Sequence, residues 1–417
     1  MAEFLTLTSP GEALDRFLES FTSPLGPEVI DASLARGRVT SGAVLAGHPL
    51  PPFTRSTVDG YAVRAEDTFG ASDSLPVYLR LIGEVEMGRE PEFSLMPASC
   101  ALIHTGGMLP KSADAVVMVE NTQEVREKEI EVLRAVGIGE NLIRAGEDAN
   151  TGEVVIPPGT RLRAVEVGAL MALGITHLPV IRRPIVGIIS TGDEIVPPDG
   201  IMRSGTMRDV NSYSLSALVE QCGAIPRRFG IVKDSREELF TTSKKALAEC
   251  DFVIITAGSS ASARDLTAQV IADLGKPGVL VHGVSVRPGK PTILAACRLP
   301  DSQVIKPVVG LPGNPVSALV IAILFLQPVI EKLSGVQNKR VRPEVRAYLS
   351  VNLASQAGRE DWIPVRLVES EGKRYADPVF GKSNLILSLS RADGLARIKS
   401  EVTGLNAGDE VEVMLME

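Results

Sequence analysis

At 417 residues and 44.4 kDa the chain is longer than one ordinary hydrophobic core serves, so roughly two to four domains are expected. Its apolar fraction of 44% and mean hydropathy of +0.15 fit a folded globular protein. A net charge of −8 and 4% aromatic content argue against a nucleic-acid binder or a binder of anionic membrane, so any positive field for an anionic ligand must be local.

Cys100, Cys222, Cys250 and Cys297 form no CxxC pair, and the histidines are scattered, which argues against structural zinc and fits a reducing cytoplasm. The opening residues lack the basic segment and apolar run of a secretory signal. The greasiest stretch, 318–330, is short for a bilayer and contains Pro328, so it reads as a buried core helix.

In chain order, residues 10–22 read as an amphipathic helix with Ala13, Leu14, Phe17 and Leu18 on one side. From about 50 to 140 short strands and tight turns dominate, with strands expected at 75–85, 112–125 and 129–136. A helix over 161–174 stops at Gly174. Strand–helix alternation then begins: strands at 183–191, 224–235 and 251–260, helices at 211–224, 236–250 and 263–275, two further strands, and a helix at 316–333. That alternation predicts an open, mostly parallel α/β sheet over 183–332. After a polar linker at 333–341, the strand-rich remainder, including 383–390, suggests a small β-barrel over 342–417. The expected class is therefore multidomain α/β plus β.

Ligands of an open α/β sheet bind beyond the carboxyl ends of its strands, and four segments fall there. In the first, Ser190, Thr191 and Gly192 lead to Asp193 and Glu194, two acids suited to holding Mg²⁺, positioning water or bonding a substrate amine. In the second, Gly258, Ser259, Ser260 and Ser262 run from a strand to a helix start, where amides and hydroxyls can cradle phosphate, with Asp265 available to a divalent cation. It lacks the GK[ST] of a Walker A loop. The third presents Arg287 and Lys290 on a Pro/Gly-stiffened loop that suits an oxyanion. The fourth, with Gly313, Asn314, Pro315 and Ser317, makes a tight turn into a helix whose first amides can face an anion. Each alone also reads as a structural turn; their combination is what points to an anion and metal site. Two polar loops, 52–62 and 103–107, add crowded functional groups, with His104 read as an ordinary loop or core histidine.

RSTVDGYA (55–62), HTGG (104–107), ADAVVMVE (113–120), GEDA (146–149), STGDEIV (190–196), DVNSYSL (209–215), RPGKP (287–291) and GLPGNPVSA (310–318) together resemble the molybdopterin molybdenumtransferase family, related to the C-terminal part of gephyrin. The resemblance covers nearly the whole chain. It implies a homodimer with a dimerising arm from 1–50 and 141–182, a lid-like β domain over 51–140, the α/β domain and the barrel. It implies insertion of molybdate into adenylyl-molybdopterin with release of AMP, aided by Mg²⁺. Asp59, Thr105, Glu194, Asp234 and Asp265 match important family positions; Glu194 and Asp265 are assigned to the metal, while Asp59 and Thr105 would complete the cleft from the other subunit. Transient contact with the molybdopterin adenylyltransferase and with acceptor molybdoenzymes follows from the same resemblance.

The chain departs from the family pattern at Val58, where methionine is common, at Arg287, where lysine is common, and across 257–262, where Cβ-bearing residues replace a glycine-rich loop. Three alternatives stay open: molybdopterin adenylylation, tungstate in place of molybdate, and a non-catalytic dimeric scaffold.

Overall fold

The computed structural model describes residues 7–257, 261–337 and 343–416, without the side chains of 261–264. Helix α1 (Pro10–Leu18) starts where Ser9 Oγ accepts the Glu12 N–H at 3.4 Å and Pro10 occupies the first turn, losing no needed donor. Its Ala13 and Phe17 are fully buried in the core of the α/β domain, so the chain enters the fold there. Strands β1 (Pro27–Asp31) and β2 (Val39–Thr40) follow.

The β domain holds β3 (Gly60–Val63), β4 (Val77–Glu84), β5 (Ser99–Ile103), β6 (Ala115–Met118), β7 (Thr122–Arg126) and β8 (Glu129–Val132). They form one sheet in the order β6-β3-β5-β4-β8-β7. The continuous strand expected over 112–125 is broken by a single 3-10 turn at Val119–Asn121, which redirects the chain between β6 and β7. The chain returns through α2 (Ala164–Ala172), which Gly174 ends at φ +68°, to β9 (His177–Ile181). β9 lies between β1 and β2, so chain segments more than a hundred residues apart build one small lobe.

Arginines join that lobe to the next domain. Arg182 makes paired bonds of 2.7 and 2.6 Å to Asp251, which also accepts the Ile185 N–H at 2.9 Å. Arg183 bonds the carbonyls of Gly223 and Ala224, and Arg161 bridges the carbonyls of Gly37 and Cys222.

The α/β domain comprises β10 (Ile185–Thr191), α3 (Asn211–Gln221), β11 (Ile225–Val232), α4 (Arg236–Glu249), β12 (Phe252–Thr256), α5 (Ala261–Asp273), β13 (Lys276–His282), β14 (Ile293–Arg298), β15 (Lys306–Leu311) and α6 (Pro315–Leu333). The sheet order is β11-β10-β12-β15-β14-β13, parallel over the first four strands and antiparallel at the last two. The expected strands and helices are present, together with β13, whose short pattern is hidden behind Pro277 and Gly278. Helix α6 is long and apolar enough to cross a membrane by length and composition, but Phe325, Leu326, Val329 and Ile330 sit in the sheet's core.

The C-terminal strands β16 (Glu344–Leu349), β17 (Glu360–Ser370), β18 (Lys373–Pro378), β19 (Gly394–Ile398) and β20 (Glu410–Leu415) close in the order β17-β18-β16-β20-β19-β17 as a five-stranded barrel. Residues 383–390, expected as a strand, instead form a 3-10 turn over Ile386–Arg391. Ile386 and Leu389, three apart, turn inward, while Leu385 and Leu387 are exposed. Ser388 and Ser390 donate to carbonyls three residues back, competing with strand pairing.

Candidate active site

Strand register gathers the separated segments. Thr191 pairs with Val232, Ser190 with Thr256, Thr256 with Leu311, and Gly310 with Ile293. The loops following β10, β11, β12 and β15, and the loop leading into β14, therefore open along one sheet edge, where such folds bind ligands. Gly258, Ser259 and Ser260 lie outside the described residues, as does the side chain of Ser262.

Several hydroxyls expected to face ligand build the frame instead. Ser190 Oγ donates to Asp209 at 3.0 Å, and Ser212 donates to the same carboxylate through its hydroxyl at 2.6 Å and its amide at 3.1 Å. Thr191 Oγ1 donates to the Thr256 carbonyl at 3.1 Å, and Ser317 is buried in the first turn of α6. Asp209, which opens the DVNSYSL segment, was not among the expected site residues; its signal is the Asp-x-x-Ser spacing that lets a carboxylate bond the start of α3. Asn211 donates to the Gly313 carbonyl at 2.8 Å, fixing the Gly-Asn-Pro turn. Gly313, Asn314 and Pro315 remain half-buried at the edge, where Asn314 donates to Ser383 Oγ at 3.1 Å and Val316 N–H to the Ser383 carbonyl at 3.0 Å. The barrel thus reaches the site.

Three acids face one another at the ends of β10 and β11. Gly192 has φ +142°, and a Cβ there would lie 2.8 Å from Glu194 Oε2, so the turn requires glycine. Asp234 donates its amide to Asp193 Oδ1 at 3.4 Å. Partial burial, then the nearby Glu194 and Asp193, pushes the Asp234 carboxyl up. The resulting penalty is absent below the ordinary value of 3.8, grows as pH rises toward the raised folded value, and is complete above it. Asp234→Asn is thus expected to stabilise the fold at pH 7, by less than about 1 kcal/mol because the carboxylate is only partly buried and largely solvated, with no difference at pH 3. Thermal melts of both proteins at the two pH values check this. Asp265 is exposed near the start of α5. Among the described residues no group of three His, Cys, Asp or Glu is placed to hold a metal alone.

The cationic loop is wired to the barrel. Val286–Arg287 pairs in parallel with Glu360–Asp361 of β17, and the Glu360 N–H donates to the Ser285 carbonyl at 2.9 Å. Arg287 Nη1 lies 3.8 Å from the carboxylate of Asp361, whose side chain is 3% exposed and accepts Arg359 Nε at 2.9 Å. Gly289 has φ +119° and packs so closely on α6 that a Cβ would lie 2.3 Å from Ile321. Lys290 is exposed beside it. Arg359 and Asp361 at this loop, and Ser383 at the Gly-Asn-Pro turn, were not expected, because only the folded C-terminal domain brings them there.

In the β domain, Gly106 N–H bonds the Ser56 carbonyl at 2.9 Å and Ser56 N–H bonds the Gly107 carbonyl at 3.0 Å, locking the two polar loops together. Asp59 accepts the Thr105 N–H at 2.8 Å, which holds its carboxyl below the usual range. His104, an exposed loop residue, lies between Asp59 and Glu84.

A doubly wound sheet with glycine-bearing turns and a cationic loop at one edge, followed by a closed barrel and preceded by a β domain with clustered polar loops, defines a multidomain α/β plus β protein. Three family models match in series: the MoeA N-terminal region (domains I and II) over 8–174, a probable molybdopterin-binding domain over 187–332, and the MoeA C-terminal region (domain IV) over 346–416. A molybdopterin molybdenumtransferase of Nostoc is 34% identical over 93% of this chain and 88% of that protein, and one of Bacillus subtilis is 32% identical over 89% and 86%. A molybdopterin biosynthesis MoeA protein structure from Pyrococcus horikoshii superposes with TM-score 0.85 and 32% identity, covering 99% of this chain and 100% of that one. The chain belongs to the MoeA/molybdopterin molybdenumtransferase family. Its function at family level is that of a transferase of molybdenum cofactor biosynthesis.

Proposed function

We propose that the protein inserts molybdate into adenylyl-molybdopterin, releasing AMP and molybdenum cofactor in the final step of cofactor biosynthesis. The observation that carries this is the register that brings the 190–194, 312–317 and 283–292 segments and Asp234 to one sheet edge. Phosphate and pterin groups bind at the Gly313–Ser317 turn. Arg287 and Lys290 at the rim hold the oxyanion, where fixed cations offset repulsion between two anionic substrates. Asp59 and Thr105 complete the cleft from the β domain of a second subunit. That homodimer is supported by the exposed Val29, Leu34 and Val165 on the arm.

The residues fit Mg²⁺ in one respect: Asp193, Glu194 and Asp234 stand together at the sheet edge, and the first two add to partial burial in pushing the Asp234 carboxyl up. Glu194 and Asp265 would hold the ion, with substrate phosphates supplying the remaining oxygens. Mg²⁺ bound there supplies charge neutralisation for the phosphoanhydride. The chain's own residues bind and orient: Asn211 fixes the turn, Asp361 aims Arg287, and Thr105 holds Asp59 ionised. Cysteine spacing without CxxC pairs supports a cytoplasmic setting, the net charge of −8 disfavours nucleic acid and anionic membrane, and family membership supports transient contact with the adenylyltransferase and acceptor molybdoenzymes.

The test is a single-turnover assay with adenylyl-molybdopterin, Mg²⁺ and either molybdate or tungstate, reading AMP and active cofactor. AMP release coupled to cofactor is expected, reduced about a hundredfold or more in Asp265→Ala. ATP consumption with metal-free molybdopterin would transfer the reading to adenylylation. Folded, dimeric protein giving neither product would leave a scaffold.

A further inference from the structure

Three neighbouring strands of the β domain bring an imidazole between two carboxylates. Asp59 immediately precedes β3, His104 immediately follows β5, and Glu84 ends β4; the sheet order places β5 between the other two. Gly60 pairs with Ile103 and Glu84 with Leu102, so all three side chains stand at one edge. His104 Nδ1 lies 3.5 Å from Asp59 Oδ1, and Nε2 lies 3.2 Å from Glu84 Oε1.

The two carboxylates face opposite ring nitrogens, which makes this a bridge; one metal ion cannot collect both nitrogens of the same ring. A neutral imidazole carries one N–H and donates to one carboxylate only, whereas the imidazolium donates to both. Glu84 thus fixes the ring orientation that turns Nδ1 toward Asp59. The logic matches enzymes in which a carboxylate fixes a histidine that serves the reacting group. Asp59 and Glu84 are the charged groups in ion-pair contact with His104 among the described residues, and the Thr105 amide holds Asp59 from its other side. Nothing else in the transferase reading uses His104 or Glu84.

We propose that His104 is a positioning residue for Asp59, oriented by Glu84, and that together they hold the Asp59 carboxylate aimed into the cleft. The electrostatics agree, since His104 is among the groups that lower the Asp59 pKa, after the Thr105 amide. The catalytic meaning of the bridge rests on the transferase reading above; the bridge itself does not.

The experiment therefore has an arm free of turnover. Carbon-13 NMR of labelled aspartate carboxyls, with Asp59 assigned through Asp59→Asn, is followed against pH in the full chain and in His104→Ala. The Asp59 midpoint is expected to move upward in His104→Ala, because an attractive partner is removed. An unchanged midpoint in a variant with the parent's melting temperature would overturn the proposal. In the second arm, His104→Ala and Glu84→Gln are each expected to slow single-turnover AMP release about tenfold or more with little change in substrate affinity. The double variant should be no slower than His104→Ala, since both act through one bridge. Additive losses would remove Glu84 from the proposal, and a loss confined to affinity would make His104 a binding residue. A shifted Asp59 midpoint in a protein that turns nothing over would sustain the bridge and sink the transferase reading.

Discussion

Gly60→Ala is expected to cost the β domain about 3 kcal/mol or more, a large effect for one methyl group. An ideal Cβ at Gly60 would lie 1.9 Å from the Val117 carbonyl oxygen, 2.9 Å from its carbon and 3.0 Å from Met118 Cα. All three are backbone atoms of β6, paired with β3 through Gly60–Met118 and Tyr61–Val117, so no side chain can swing aside. The strands must part, and Asp59 loses its fixed approach to the Thr105 amide. Thermal or denaturant unfolding of the β-domain transition measures the cost. Gly47→Ala, where a Cβ meets nothing within 4 Å, is the control and should stay within about 0.5 kcal/mol of the parent. Equal stability of the two variants would show that β3 and β6 do not approach this closely.

Asp361→Ala is expected to lower single-turnover cofactor formation about ten- to a hundredfold and stability by about 2 kcal/mol. The carboxylate is buried at the seam between barrel and cation loop, accepting Arg359 and neighbouring Arg287. Its removal leaves Arg359 without that acceptor and frees Arg287, itself 64% exposed, to point into solvent. Loss should be recovered in part by Asp361→Asn, which keeps an acceptor oxygen and the side-chain shape. Kinetics at saturating and subsaturating molybdate separate a weakened oxyanion site from a general defect. A stability loss with unchanged molybdate dependence would remove Arg287 from the oxyanion site.

Much of the fold was legible because its signals are local. Alternation of buried strands such as 185–191 and 252–256 with helices capped by Ser235 or ended near Gly223 is written in neighbouring residues. Consecutive elements of this kind leave few topologies, so the sheet and the loops at its carboxyl edge could be anticipated. Residues 383–390 misled because two apolar residues three apart, with serines that bond their own backbone, look like a strand until the barrel supplies the surface they cover.

By itself, the amino-acid sequence determined the family, the α/β and barrel architecture, and the residue types at the sheet edge, since periodicity, turn chemistry and motif spacing are short-range properties. Only the tertiary structure decided which of those groups face outward. Ser190, Thr191 and Ser317 are drawn into the frame because buried hydroxyls must find partners, while Asp209, Asp361 and Ser383 gain their places from contacts with remote segments. The setting of His104 between Asp59 and Glu84 was likewise a matter of strand order, because antiparallel pairing of β3 with β5 and parallel pairing of β5 with β4 bring together residues that spacing along the chain leaves unrelated.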